Sequence, residues 1–290
     1  RGQLVGVVSP GFAVRRAALD AGVGWLEAQG YRVRTGKHVL ARDGYLAGPD
    51  DDRLADLETM LRDPEVAAVW FSRGGYGTAR LLGRIGWARF ARKPKPLLGY
   101  SDATALFAAA VNRAGPTCLY APVVSELGDA GAFHAGSLKR LLAGRPISMR
   151  LRRDQILSPG SARGPLVGGN LTVLNHLCGT KHAPRLDGAV LFLEDVGEPA
   201  YRVDRMLTQL EDAGWLRRVA GVLLGGLAVS PRRRFPPDRP LHAILAERLL
   251  GLGVPVAAGL PVGHLAGKWS LPLGSPVEID GTARLLRFDP

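Results

Sequence analysis

The chain has 290 residues, 46 % of them hydrophobic, which supplies a proper core, and 22 % charged, which is ordinary for a soluble globular protein. Its net charge of +12 is mostly arginine, with six lysines among 38 basic residues, and the clusters Arg152-Arg153, Arg217-Arg218 and Arg232-Arg233-Arg234 are short. None is interleaved with aromatics, so the pattern reads as arginine-biased composition and solvated faces, with no nucleic-acid partner expected.

Arg1-Gly2-Gln3 leads straight into a strand-like run, Gln3–Val8, without the apolar stretch of a secretory signal. No apolar run approaches the ~20 residues that cross a bilayer, so no membrane is expected. Val14–Gln29 has helical spacing and stops at Gly30; Asp51–Arg62 sets Leu54, Leu57 and Leu61 on one helix face. Val66–Phe71 is a β-branched and aromatic run that breaks at Gly74-Gly75 and Gly77. Leu97–Tyr100 is short and apolar, and Ala103–Arg113 after it is helical. Strands alternating with helices predict a parallel sheet covered on both faces. Arg150–Pro165 is polar and broken by Pro159-Gly160, the composition of a linker. Beyond it, Ala189–Leu193, Val219–Leu224, Val254–Ala258 and Val277–Ile279 are strand candidates, with helices over Tyr201–Ala213 and Leu241–Leu250. The expected architecture is an α/β N-terminal parallel-sheet domain (1–150), a linker (151–165) and a smaller mixed, β-rich C-terminal domain (166–290).

Cys118 and Cys178 give neither a disulfide framework nor a zinc spacing, which suits a reducing, cytoplasmic setting with no metal and no cofactor. The chemistry has to come from elsewhere. Gly99-Tyr100-Ser101-Asp102-Ala103 lies between an apolar strand and a helix, the setting of a nucleophile elbow, although its usual second glycine is missing. The same five residues also fit a serine or aspartate that caps the helix. A serine nucleophile needs a base, normally a histidine held by a carboxylate. Of six histidines, His134 and His242 fall in helical stretches, whereas His264 stands on a glycine- and proline-bounded loop after a strand. The apolar run Ala189–Leu193 ends abruptly at Glu194-Asp195, and position alone does not choose between these acids. Ser72–Gly77 permits close backbone approach and offers amides to an oxyanion, but it lacks the ending of a phosphate loop.

Five segments in order resemble the LD-carboxypeptidase family of serine peptidases, which also contains the microcin C immunity proteins. They are Ser72–Gly77 (SRGGYG), Leu98–Ala105 (LGYSDATA), Gly168–Leu171 (GGNL), Leu191–Leu207 (LFLEDVGEPAYRVDRML) and Gly263–Gly274 (GHLAGKWSLPLG). The resemblance implies Ser101 as nucleophile, Glu194 as orienting acid and His264 as base, with oxyanion amides from Asp102 and from Gly74-Gly75. It implies hydrolysis of a small peptide or muropeptide, releasing the terminal D-alanine of a murein tetrapeptide in peptidoglycan recycling, commonly by a homodimer. Arg73, Arg202 and Arg205 lie in the matching segments as candidates for the substrate's carboxylate, each equally able to serve a structural salt bridge. Lys268 departs from the asparagine the family often has four residues after the histidine. The immunity-type branch, acting on aminoacyl-adenylate-like toxins, is the alternative, and the short Glu194–Tyr201 segment favours the peptidoglycan branch. A basic nucleic-acid-binding protein without catalysis, or a non-catalytic sensor on the same fold, would be the readings of another class.

Overall fold

The computed structural model describes residues 2–115, 118–230 and 239–290, so the cluster Arg232-Arg233-Arg234 lies outside the described residues. The first half runs β1 (Leu4–Val8), α1 (Arg16–Ala28), β2 (Arg32–Thr35), α2 (Asp50–Arg62), β3 (Val66–Phe71), α3 (Trp87–Arg92), β4 (Leu97–Gly99), α4 (Thr104–Ala114), β5 (Cys118–Tyr120), α5 (Ala135–Leu142) and β6 (Ile147–Arg150). The second half adds β7 (Ile156–Ser158), β8 (Ala162–Asn170), α6 (Leu171–Leu177), β9 (Val190–Val196), α7 (Ala200–Asp212), β10 (Gly221–Ala228), α8 (Leu241–Leu249), β11 (Val256–Ala257), β12 (Leu271–Leu273), β13 (Pro276–Asp280) and β14 (Leu285–Phe288). The structure is α/β with two sheets, as the alternation of strands and helices implies.

The first sheet has the order β12-β5-β4-β3-β1-β2. Its strands β1 to β5 run parallel, and β12 joins antiparallel at the edge. In such a sheet the chain direction of the crossovers reverses beside β1, and ligands settle at the carboxyl ends of the strands near that point. The loops after β1, β3 and β4 all emerge there. Both faces of this sheet are covered: Leu4 and Val8 of β1 pack into one apolar cluster, Val5 and Val7 into another. This is why β1 reads as a continuous apolar run.

The second sheet has the order β6-β14-β13-β8-β9-β10-β11-β7, with β8 to β11 parallel and both flanks antiparallel. At eight strands it is larger than the six-stranded first sheet. The cluster that contains Phe71, Phe107 and Tyr120 of the first half also contains Leu166, Phe192 and Leu224 of the second, so the halves share one core.

Two expectations need correcting here. The stretch expected as a linker carries β7 and the start of β8, where Ala162–Pro165 pair with β13. Its polar look comes from edge pairing and half-exposed residues. Strands also cross the expected division: β6 completes the second sheet, and β12 completes the first. Pro272 hides β12 in the sequence, yet an edge strand tolerates a residue without an amide proton.

Candidate active site

Ser101 stands two residues past the end of β4, at φ +63°, in the left-handed region that a side chain rarely occupies. Strain of this kind persists only where the surroundings enforce it, and it marks functional turns. The turn lifts Ser101 off the sheet end, and α4 begins three residues later. The side chain of Ser101 makes no helix cap; its Oγ lies 3.1 Å from His264 Nε2. The capping alternative is therefore displaced by the geometry of an elbow.

Glu194 sits within β9, wholly buried, opposite Asn170 at the end of β8. Its Oε2 is 2.7 Å from His264 Nδ1 and accepts the His264 backbone N–H at 3.1 Å. The other oxygen accepts Tyr120 Oη–H at 2.7 Å and an Asn170 amide proton at 3.3 Å. An imidazole whose Nδ1 faces a carboxylate carries its proton there, leaving Nε2 to accept from the serine hydroxyl. The His264 loop is pinned to β10 by Leu260 N–H on Leu224 and Gly226 N–H on the Val262 carbonyl. Gly263, at φ +105°, is required at the approach, since a Cβ there would lie 2.9 Å from Glu194 Cβ. Asp195 points away from the histidine: it accepts the Thr172 N–H and hydroxyl and an Asn170 amide proton, so it fastens the start of α6. Burial pushes its titration upward against those bonds.

The loop after β3 closes against the elbow. A Cβ on Gly74 would stand 2.9 Å from Ser101 Cβ and 3.1 Å from its Oγ, so only glycine fits. Asp102 holds this loop from the other side, its carboxylate accepting the Thr78 N–H at 2.9 Å and the Thr78 hydroxyl at 2.6 Å. Burial raises the Asp102 titration despite those donors. The backbone of Asp102 opens the helical turn, where amide protons lack intrahelical partners. Fully buried Arg53 braces the same region through the Pro10, Gly48 and Gly77 carbonyls.

Ser101 and His264 line a cavity of about 520 Å³, together with Arg73, Tyr76, Glu126 and Thr172. Of the three candidate arginines, only Arg73 lines it, with one guanidinium nitrogen on the Ala13 carbonyl and its face over Phe12. Arg202 instead pairs with Glu198 and lies over Tyr201, and Arg205 stands exposed on α7 outside the lining. Lys268 is buried, 2.9 Å from Glu126 and over the ring of Tyr100, so it supports the wall of the site. Among the described residues, no group of three or more His, Cys, Asp and Glu is placed to hold a metal ion. No helix among them is long and apolar enough to cross a membrane.

Residues 5–121 match the LD-carboxypeptidase N-terminal domain, and residues 163–279 match the LD-carboxypeptidase C-terminal domain. The murein tetrapeptide carboxypeptidase of Pseudomonas aeruginosa is 36 % identical over 96 % of this chain and 93 % of its own length. The chain belongs to the LD-carboxypeptidase family. By family it is a carboxypeptidase. The muramoyltetrapeptide carboxypeptidase from Oxalobacter formigenes superposes with a TM-score of 0.88 at 29 % identity, covering 99 % of each chain. The microcin C7 self-immunity protein of Escherichia coli is 24 % identical over 94 % of this chain and 88 % of its own length. Its wild-type structure superposes with a TM-score of 0.88 at 22 % identity, over 100 % of this chain and 96 % of that one, a likeness of fold.

In this LD-carboxypeptidase the aromatic neighbours of the site are what sequence reasoning missed. Tyr100 packs its ring 4.8 Å from the His264 ring and donates its hydroxyl to Glu126. Tyr120 ends the three-residue β5, too short to stand out by periodicity. Asn170 lay inside a quoted motif, but nothing in its spacing tied it to Glu194.

Proposed function

We propose that this carboxypeptidase hydrolyses the L,D-amide bond that joins the terminal D-alanine of a murein tetrapeptide to the diamino acid before it. The reading is carried by one observation: Glu194, His264 and Ser101 form an unbroken hydrogen-bonded line that ends in the cavity. The relationship to the Pseudomonas aeruginosa enzyme supports the substrate class.

The steps follow from the contacts. His264 Nε2 takes the Ser101 proton as Oγ attacks the scissile carbonyl carbon, and Glu194 steadies the imidazolium. Negative charge on the former carbonyl oxygen meets the Asp102 amide and the Gly74-Gly75 segment, donors aimed before the reaction begins. The proton then passes from His264 to the departing amine, D-alanine leaves, and water reverses the sequence on the acyl-enzyme. Arg73, the cation of the cavity wall, receives the free carboxylate that defines an exopeptidase substrate. The enzyme works in the cytoplasm as a homodimer, with no metal or cofactor.

Incubation with a mixture of muropeptide tetrapeptides, followed by mass spectrometry, is expected to give a clean loss of one alanine. An aminoacyl-adenylate analogue run in parallel separates the immunity-type reading, which predicts the faster rate on the adenylate. No cleavage of either substrate would overturn the proposal.

A further inference from the structure

We propose that Tyr120 is a positioning residue for this reaction, its hydroxyl clamping the backbone of the nucleophile to the acid carboxylate across the junction of the two sheets. The inference rests on the roles proposed above for Ser101, His264 and Glu194. Tyr120 Oη accepts the Ser101 N–H at 3.2 Å and donates to Glu194 Oε1 at 2.7 Å. Besides His264, it is the one side chain among the described residues that hydrogen-bonds both Ser101 and Glu194.

The direction of these bonds is fixed by chemistry. A backbone N–H can only donate, so the phenol oxygen accepts there and sends its single proton to Glu194. Burial, reinforced by the negative charge of Glu194, pushes the phenol's titration upward and keeps that proton in place. The ring itself has little freedom. It is 1 % exposed, lies edge-on to Phe192 at 5.3 Å and to Tyr100 at 6.0 Å, and its backbone is paired to Gly99 on one side and Leu271 on the other.

Two consequences follow for the reaction. The Ser101 amide is already committed, so the elbow's oxyanion donor falls to the next residue, Asp102. With Oε1 occupied by Tyr120 and Asn170, the carboxylate is held in the rotation that turns Oε2 to His264. Nearby titratable and charged groups are few. Tyr100 packs directly against both Tyr120 and His264, Asp195 is reached through Asn170, and the Lys268–Glu126 pair lies beyond Tyr100.

The test is Tyr120→Phe in the full chain, which keeps the ring and removes the oxygen. The expected result is a fall in kcat of about 10- to 100-fold, what a hydrogen bond to a charged group is worth, with KM changed by less than about twofold. Without the Tyr120 donor, Glu194 concentrates its charge on the oxygen facing His264 and holds the imidazolium more tightly. The acidic limb of the kcat/KM profile therefore moves to higher pH, by about half a unit. Incorporation of 3,5-difluorotyrosine at position 120, nearly the same shape but a stronger donor, moves that limb the other way and serves if the phenylalanine variant does not fold. An unmoved limb in either folded protein, with kcat unchanged for the phenylalanine variant, overturns the inference. Ser101→Ala distinguishes the two levels: if it stays active the triad reading falls and this one with it. If it is dead while Tyr120→Phe is normal, only the clamp is wrong.

Discussion

The turn that carries Ser101 is shaped by the chain next to it, at φ +63° between β4 and α4, with Tyr120 accepting its N–H, whereas the loop that carries His264 is held by what it leans on. That loop borrows two backbone bonds from β10 and two bonds from Glu194. The serine is thus placed mainly by a short stretch of chain, steadied by Tyr120, and the base wholly by partners distant in sequence. The elbow stores local strain, while the base loop depends on register, because Glu194 reaches it only if β9 pairs correctly with β8 and β10. A lesion at the first end strikes the chemistry directly. At the second it acts through the orientation of the imidazole.

Substitutions graded by effect can break this contrast. Ser101→Ala removes the reacting oxygen and is expected to lower kcat by about a millionfold, with circular dichroism unchanged. Glu194→Gln keeps the shape but presents one amide group to donors on both sides, which upsets the imidazole tautomer; a loss near 10⁴-fold in kcat is expected. A variant of Glu194 with near-normal turnover would mean that the base loop orients His264 without it. Gly263→Ala tests the loop by itself. A Cβ would clash with the Glu194 carboxylate and stand 2.9 Å from its Cβ, in a backbone conformation at φ +105°. The expected cost is about 1–3 kcal/mol of stability, together with a fall in kcat at nearly constant KM. Gly214→Ala is its control, because Gly214 also has a positive φ but open space around it; thermal denaturation should register the strain there while turnover stays normal. The smallest effect expected is none. Dialysis against EDTA should leave kcat intact, since both ends of the site rely on side chains and backbone alone. Activity lost on dialysis and restored by zinc would require a different account of the base.

The elbow was legible only as one of two readings: Leu97-Leu98, Gly99 and a serine before a helical stretch fit a helix cap as well, and the resemblance to the family chose between them. The choice between Glu194 and Asp195 was not legible. Neighbouring residues of a strand face opposite ways, so one reaches His264 and the other Thr172, and only pairing of β9 in its sheet decides which. The resemblance to the family selected Glu194 by motif, where composition and spacing left both open. The polar stretch before Pro165 misled for a related reason. An edge strand such as β7 acquires its identity from β11, about a hundred residues further on, and carries no strong alternation of its own.

Helices, turns and the place of the serine between a strand and a helix were set by residues within a few positions of one another, through spacing, glycine placement and side-chain sterics. Sheet membership, the exchange of β6 and β12 between halves, and the meeting of residues 101, 120, 194 and 264 were decided by tertiary structure. Those contacts join positions as much as 163 residues apart. Their partners are chosen by packing and register over the whole chain, which no short window of sequence contains.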